Sequence, residues 1–249
     1  MTKISIITAC LNNAATIEDT VKSVLGQDYP GVEFIVVDGA SADGTLDILN
    51  RYRDRITALI SEKDEGIYYA LNKGLKMATG EIAGLLHADD FYNGADILSK
   101  VMKAFESAGT DCVYGDLQYV QRDKTGKVLR NWIAGEYNDG LFLKGWMPPH
   151  PSFFIRRACY EKYGFFNTDL SISADYELML RMIHKYKLST RYLPEVLVKM
   201  RAGGKSNKSL ANRIKANAED RKAWKMNDLQ PSPLTLIRKP LGKLKQFFG

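Results

Sequence analysis

Ile82-Ala83-Gly84-Leu85-Leu86 is an apolar run that ends at His87-Ala88-Asp89-Asp90, so two adjacent carboxylates follow what we predict to be a buried strand. Like charges side by side raise each other's pKa, and a hard divalent cation shared with phosphate oxygens commonly stabilises such a pair. Asp is also frequent in turns and helix caps, and for an isolated pair that structural interpretation is the stronger one. The rest of the chain has to decide between a turn and a metal–diphosphate site.

Predicted strands and helices alternate along the first hundred residues. The other predicted strands in this region are apolar throughout: Ile4 to Cys10, Val32 to Val37 and Ile56 to Ile60. Three helical faces lie between the strands, made by Ile17, Val21, Val24 and Leu25, then Ile48, Leu49 and Tyr52, then Ile67, Leu71 and Leu75. This alternation predicts a parallel sheet covered by helices on both faces, with ligands at the carboxyl ends of the strands. Asp38 and Asp89 both follow such ends.

The pattern changes after a fourth helical face made by Ile97, Val101 and Phe105. Val113 to Asp116 is β-like, and two further β-like runs flank the turn at Asp123 to Gly126. Three prolines in four positions make Trp146 to Pro151 an irregular connection. Ser173 is predicted to cap a helix that turns Leu178, Met179, Met182, Ile183 and Tyr186 inward, and Val196 to Met200 is predicted to be a strand. We therefore expect an α/β half joined to a mixed half.

Composition and cysteine content are those of an ordinary globular protein of 249 residues. Cys10, Cys112 and Cys159 are odd in number, lie far apart and match no metal-ligand spacing, so we expect no disulfide framework. The N-terminal residues have neither the features of a signal peptide nor the length of a membrane span, and no other segment is long enough to cross a bilayer. These features favour a cytoplasmic protein.

Positive charge is concentrated at the C-terminus. Residues 201–249 hold 12 Lys and Arg against 3 Asp and Glu, whereas residues 1–200 are slightly acidic. Within the tail, Ile237, Leu241, Leu244 and Phe248 recur at helical spacing among Arg238, Lys239, Lys243 and Lys245, with Pro240 starting or interrupting the helix. This pattern suits a peripheral contact with the anionic inner face of the cytoplasmic membrane, and it equally suits a helix docked on its own domain.

Several other polar residues have both a functional and a structural interpretation. Asp38 lies in a glycine-containing strand-to-helix turn, where a carboxylate accepts hydrogen bonds from a base or ribose, while Asp43 is better explained as a helix cap. Asp64 precedes the Ile67 helix, where it either complements the helix dipole or contributes to a site. Asp175 in the first turn of the helix after Ser173 is either a dipole-complementing residue or a general base. His150, between prolines, is a packing residue or lines a site.

The order of these features carries more information than any one of them. The ordered segments are Ser5 to Asn13, Val36 to Thr45, Asn72-Lys73-Gly74 with Ala78-Thr79-Gly80, Leu86 to Asp90, and Ser173 to Glu177. Together they closely resemble the family 2 glycosyltransferases, over about residues 3 to 205. Two further segments, Ser61 to Tyr68 and Gly203 to Ser206, resemble a bacterial branch that builds surface polysaccharides.

The resemblance implies a GT-A fold: an α/β, Rossmann-like, mostly parallel sheet with helices on both faces, a mixed acceptor-side half and a basic helical tail. It implies a GT-A domain over residues 1–205, divided into a nucleotide-sugar half (1–115) and an acceptor half (116–205), followed by an extension over 206–249. The implied enzyme is an inverting transferase of hexosyl type. Its donor would be a UDP- or GDP-sugar and its acceptor a saccharide, in our interpretation lipid-linked.

Site residues carry over by position. Thr8 and Asn12 would flank the nucleotide, Asp38 would bind the base, and Asp64 would lie near base or ribose. Asp89 would hold Mg²⁺ or Mn²⁺ on the diphosphate with Asp90 beside it, and Asp175 matches the catalytic base. His87 and His150 would line the site. The sequence departs from the family at three positions, where His87 replaces the first acid of the Asp-x-Asp motif, Ala174 replaces the acid before the base, and Gly39 replaces the second acid after the second strand.

Two rival interpretations stay open at this point. A sugar nucleotidyltransferase shares the layout and the metal–diphosphate chemistry, although residues 9–15 lack the glycines of its usual phosphate loop. A nucleic-acid-binding module is supported only by the basic tail and leaves Asp38, Asp89 and Asp175 unexplained. We therefore expect no nucleic-acid partner.

Overall fold

The computed structural model describes residues 1–203, 210–231 and 235. Its strands are β1 (Ile4–Cys10), β2 (Val32–Asp38), β3 (Ala58–Ser61), β4 (Ile82–Leu85), β5 (Asp90–Tyr92), β6 (Cys112–Val120), β7 (Val128–Trp132), β8 (Phe153–Arg156) and β9 (Thr190–Arg201). Its α-helices are α1 (Ile17–Leu25), α2 (Thr45–Asn50), α3 (Ile67–Met77), α4 (Ile97–Ala108), α5 (Arg157–Tyr163), α6 (Ala174–Met179) and α7 (Leu210–Met226). The strands form one sheet of order β3-β2-β1-β4-β8-β6-β9-β5, with β7 paired to β6.

The N-terminal half of the sheet is parallel, as predicted. β1 pairs in parallel with β2 and β4, and β2 with β3. All seven residues of β1 are buried, because this strand is central and covered on both faces. β3 begins at Ala58 rather than Ile56; Ile56 is buried in the core just before the strand.

The C-terminal half of the sheet is mixed. β8 runs antiparallel between β4 and β6, β9 is parallel to β6, and β5 is antiparallel to β9. The predicted boundary at residue 115 falls inside β6, so the two halves share this strand. The segment around Trp146 is irregular, as the prolines require, except for a short 3₁₀ turn at His150–Ser152 that leads into β8.

Helices cover both faces of the sheet and enclose two apolar layers. One layer contains Leu71 of α3, Leu178 of α6 and Trp224 of α7. The other contains Val21 of α1 and Val101 of α4. This two-sided cover is the reason that the parallel strands are mostly apolar.

The helix that carries Asp175 differs from the prediction in two respects. Ser173 occupies the N-cap position of α6, but its hydroxyl donates to the Ala216 carbonyl instead of accepting from the helix. Leu178, Met179, Met182 and Ile183 are buried as predicted. Tyr186 is 41% exposed, so its inward placement was wrong. The chain adopts π-helical geometry over Leu180–Lys185, and the wider turn shifts later residues off the inward face.

The described part of the C-terminal extension packs against the helix that carries Asp175. Trp224 of α7 is fully buried and donates its indole N–H to the Tyr176 hydroxyl at 2.8 Å. The apolar and basic residues proposed for a tail helix, from Ile237 to Phe248, lie outside the described residues. Within the described residues, no helix combines the length and the apolar character needed to cross a bilayer.

Candidate active site

The parallel strands end together at one edge of the sheet, and the predicted site residues gather there. In the pairing register Cys10 lies beside Asp38, and Asp38 beside Ser61, while β4 ends at Leu85 next to Ile7 of β1. The loops that follow these strands therefore form one continuous rim. Such an edge is where open α/β sheets bind their ligands.

Asp38 is fully buried, and its carboxylate is engaged within the protein. Oδ2 accepts from the Ser61 hydroxyl at 2.6 Å and from the Ser41 amide at 3.1 Å, and Oδ1 accepts from the Ser41 hydroxyl. These bonds fix the turn after β2 to the end of β3. A nucleobase that contacts this carboxylate directly would have to replace one of them.

The loop after β1 is bound to the loop after β2 by a series of hydrogen bonds. Asn12 adopts a left-handed backbone with φ of 55°, and its side-chain oxygen accepts from the Ala42 amide at 2.9 Å. Asp43 accepts from the Ala14 amide and from the amide of Thr45, the first residue of α2, whereas the N-cap position that we predicted for it is occupied by Gly44. Thr8 is fully buried and donates to the Leu86 carbonyl at 2.7 Å, so its side chain ties β1 to the acidic loop.

Asp64 retains a carboxylate oxygen without a donor. Its Oδ1 accepts from the Lys73 ammonium at 2.8 Å, whereas Oδ2 is buried and has no hydrogen-bond partner. The same ammonium contacts Glu62. A buried acceptor without a donor is costly, and a ribose hydroxyl or base N–H would satisfy it.

The backbone of the acidic loop is held from several sides. Thr16, the N-cap residue of α1, donates to the Ala88 carbonyl at 3.0 Å, and Thr20 of α1 donates to the Asp90 carbonyl at 2.7 Å. Arg201, at the end of β9, donates to the Asp89 carbonyl at 2.8 Å. The loop is consequently a rigid support for the Asp89 side chain.

The two adjacent acids occupy opposite environments. The Asp89 side chain is 25% exposed, and its Oδ2 lies 3.6 Å from the guanidinium of Arg122. Asp90 is buried in β5, and burial raises its pKa well above the ordinary value, with the charge of Asp89 adding to the effect. Its Oδ1 accepts from the Arg201 amide, while Oδ2 has no partner. Asp89 is therefore the carboxylate accessible to a ligand.

His87 and His150 bring the acidic loop and α6 together. The two Nε2 atoms are 2.9 Å apart, and His150 Nδ1 lies 3.1 Å from Asp175 Oδ2. Asp175 and His150 are each 22% exposed. Burial lowers the pKa of both imidazoles to about 4, so they are neutral at pH 7. Residues from positions 87, 150 and 175 thus form a single site.

The segment before Asp175 is held by a residue that the sequence did not reveal. Glu219 of α7 is buried and accepts from the backbone amides of Ser171, Ile172 and Ser173 at 2.8 to 3.1 Å. Tyr68 of α3 donates to the Ile172 carbonyl at 2.7 Å. A glutamate in a charged helix gives no sequence signal for such a role.

Arg122 and Arg201 are the other residues that the sequence did not single out. Arg201 is almost fully buried and also pairs with Asp19. Its only signal is a charged residue at the end of an apolar strand. The two guanidinium groups place positive charge beside Asp89.

The donor set around Asp89 fits a cation shared with a ligand. The described residues contain no group of three or more His, Cys, Asp or Glu side chains that could hold a metal ion. Mg²⁺ commonly takes one or two protein carboxylates and completes its shell with phosphate oxygens and water. Asp89 fits that mode, in which a diphosphate brings most of the ligands.

Comparison with known proteins assigns the family. The model described as "Glycosyl transferase family 2" matches residues 5–170. A PGL/p-HBAD biosynthesis glycosyltransferase of Mycobacterium bovis is 32% identical over 208 residues, which cover 82% of this chain and 78% of the relative. The putative teichuronic acid biosynthesis glycosyltransferase TuaG of Bacillus subtilis is 43% identical over 145 residues, which cover 55% of this chain and 56% of the relative.

Solved structures share the fold. Residues 1–349 of S. aureus TarS superimpose with a TM-score of 0.67 at 19% identity, covering 92% of this chain and 67% of that fragment. The mannosyltransferase PcManGT from Pyrobaculum calidifontis gives a TM-score of 0.65 at 24% identity, covering 96% of this chain and 69% of that protein. At these identities the likeness concerns the GT-A architecture alone.

Proposed function

Because the chain belongs to glycosyl transferase family 2, we propose that it transfers a sugar from a nucleotide-diphosphate donor to a saccharide hydroxyl with inversion, using Asp175 as base. Membership of this family argues against the two rival interpretations, a sugar nucleotidyltransferase and a nucleic-acid-binding module. The observation that carries the proposal is the contact from His87 through His150 to Asp175. It unites the acidic loop and the candidate base in one site.

The donor end of the site would lie along the strand edge. The unpartnered oxygen of Asp64 supports a contact with the nucleoside, and Asn12 and the Asp38 turn border the same edge. TarS has been solved with UDP and with UDP-GlcNAc, and PcManGT with GDP-Man and Mn²⁺. These complexes support a UDP- or GDP-sugar as donor.

The transfer step needs one base and one way to stabilise the leaving group. In the proposed step, Asp175 accepts the proton of the acceptor hydroxyl while the hydroxyl oxygen bonds to the anomeric carbon. The bond from that carbon to the diphosphate oxygen breaks, and its electron pair leaves with the nucleoside diphosphate. A divalent cation held by Asp89 and the diphosphate would act as a Lewis acid toward that charge. Arg122, beside Asp89, would add positive charge there.

The acceptor and the cellular place are proposed from the relatives and the charge distribution. Relatives named for teichuronic acid and PGL/p-HBAD biosynthesis support a role in surface polysaccharide or related glycan assembly. The strongly basic residues 201–249 support a peripheral position at an anionic membrane, where a lipid-linked acceptor would be reached.

The base assignment is tested with Asp175→Asn. We expect turnover, measured as nucleoside diphosphate release, to fall by about 10²- to 10⁴-fold, which is the usual contribution of a positioned base. Stabilisation by nucleotide should persist in a thermal-shift screen against UDP, GDP, dTDP and CMP, each with and without Mn²⁺. Asp169→Asn, at an exposed position six residues upstream, is the control. Near-normal turnover of Asp175→Asn would remove Asp175 from the role.

A further inference from the structure

His87, His150 and Asp175 form a continuous chain of contacts between three separate elements. His87 belongs to the loop after β4, His150 to the 3₁₀ turn before β8, and Asp175 to the first turn of α6. The imidazole rings meet edge to face, with centroids 5.0 Å apart and planes at 63°. The distance of 2.9 Å between the two Nε2 atoms shows that the rings approach each other through these nitrogens, within hydrogen-bond range.

The contacts determine where the protons lie. A carboxylate that acts as base is ionised and only accepts, so His150 must carry its proton on Nδ1. Two ring nitrogens 2.9 Å apart share one proton, and a neutral His150 has a bare Nε2. The shared proton therefore belongs to Nε2 of His87.

We propose that His150 is a positioning residue for the base, that it orients the Asp175 carboxylate through Nδ1–H, and that His87 fixes it in the required tautomer. This inference rests on the proposed role of Asp175. A neutral donor orients a carboxylate without cancelling its charge, so Asp175 stays able to accept a proton. The lone pair of His150 Nε2 is engaged by His87, which rules out His150 itself as the base.

The proposal also explains the departure at position 87. The residue that replaces the first acid of the Asp-x-Asp motif supports the base side of the reaction, while Asp89 remains for the leaving-group side. Substitution of His87, although it lies in the acidic loop, should consequently lower kcat through its effect on Asp175.

Two variants of His150 with similar side-chain size distinguish its role in orienting Asp175 from its role in packing. The amide nitrogen of Asn occupies about the position of Nδ1 in His, and that of Gln about the position of Nε2. His150→Asn keeps a donor for Asp175, so we expect kcat within about tenfold of the parent. His150→Gln loses that donor, and we expect kcat to fall by a further 10- to 100-fold, as when an orienting partner is removed. KM for the donor and the nucleotide-induced thermal shift should stay unchanged in both.

Nitrogen-15 NMR of the ligand-free protein provides a test that does not depend on activity. The chain has three histidines, so the spectra are simple to assign with single variants and with His184 as internal reference. We expect the Nδ1–H tautomer for His150 and the Nε2–H tautomer for His87. The opposite tautomer of His150, or equal turnover of His150→Asn and His150→Gln, would overturn the inference. Retained turnover in Asp175→Asn would instead overturn the proposed function.

Discussion

At the scale of single residues, burial separates two carboxylates that are neighbours in the chain. Asp89 is partly exposed on a loop fixed by Thr16, Thr20 and Arg201, whereas Asp90 is buried in β5. The raised pKa of Asp90 means that its carboxyl resists ionisation inside the fold. Adjacent acids therefore have different chemistry, which a sequence motif alone does not reveal.

The contrast predicts different outcomes for the same substitution. We expect Asp89→Asn to abolish the extra thermal stabilisation that Mn²⁺ adds to UDP or GDP, because it removes the accessible charged ligand. We expect Asp90→Asn to retain that stabilisation, because a neutral amide replaces a carboxyl that already resists charge. Mn²⁺ without nucleotide should give little shift in the parent. An Asp90→Asn variant that loses the Mn²⁺ effect would show that Asp90 is itself a ligand.

The sequence indicates the candidate site residues but not the contacts between them. Asp89 and Asp175 follow an apolar strand and open a helix, which are local signals. The contact between His87 and His150 joins residues 63 positions apart and depends on β8 pairing with β4. Asp38 and Thr8 lie at the carboxyl edge of the parallel strands, as predicted. Their burial and their hydrogen-bond partners could not be predicted, because these depend on how the neighbouring loops pack against each other.

At the scale of secondary-structure elements, β4 positions the acidic loop that follows it. At Gly84 of β4 the neighbouring strands leave no room for a side chain. A Cβ atom added at Gly84 would lie 2.5 Å from Phe154 of β8 and 3.3 Å from Ile6 of β1. Phe154 is paired with Gly84 across the two strands, and its ring occupies the space that a side chain at position 84 would need. The position of His87 and Asp89, three and five residues later, depends on this packing.

Substitution of this glycine should therefore destabilise the fold. We expect Gly84→Ala to lower the free energy of unfolding by about 1 to 3 kcal/mol, because the extra methyl group overpacks the core. Chemical denaturation provides the measurement. Gly126→Ala, in the turn between β6 and β7 where a Cβ would meet nothing within 4 Å, should change stability by much less. Equal stability of the two variants would contradict the packing argument.

Glu219 connects α7, in the C-terminal extension, to the segment that precedes the candidate base Asp175. Glu219→Gln replaces the carboxylate with a neutral amide that has a single acceptor oxygen, so the hydrogen bonds from the amides of residues 171–173 lose their charge assistance. We expect kcat to fall while nucleotide binding is retained, because Asp175 follows that segment directly. Asn217→Ala, at an exposed position on the same helix, is the matched control. Wild-type turnover in Glu219→Gln would show that α7 supports stability alone.

Elements of the parallel half could be predicted from the sequence because its strands are largely apolar and amphipathic helices lie between them in the chain. The C-terminal half could not, because its strands pair across long distances in the chain. β6 continues through residues that were expected to form separate runs, and β9 extends from Thr190 because β6 offers a partner along most of its length. The π-helical stretch after α6 likewise has no local signal.

At the scale of the whole molecule, the excess of positive charge and the candidate catalytic residues lie in different parts of the chain. The candidate catalytic residues lie within residues 8–175, which belong to the slightly acidic part, while residues 201–249 carry the positive excess. Two different interactions are expected from such a distribution: a cation-assisted contact with a nucleotide in the acidic part, and an electrostatic contact with an anionic surface in the basic part.

Liposome flotation tests the second interaction. We expect the full chain to float with vesicles that contain phosphatidylglycerol and to float much less with phosphatidylcholine alone, because each Lys or Arg near an anionic surface contributes about 1 kcal/mol that salt screens. Removal of residues 231–249 should reduce flotation, and a full-length variant with Lys239, Lys243 and Lys245 changed to Gln should reduce it through charge alone. Equal partitioning of all three proteins would reject a membrane role for the tail. Turnover on a soluble donor should stay unchanged in the variant with the three lysines replaced, because the described contacts that hold Asp89 and Asp175 come from residues before 231.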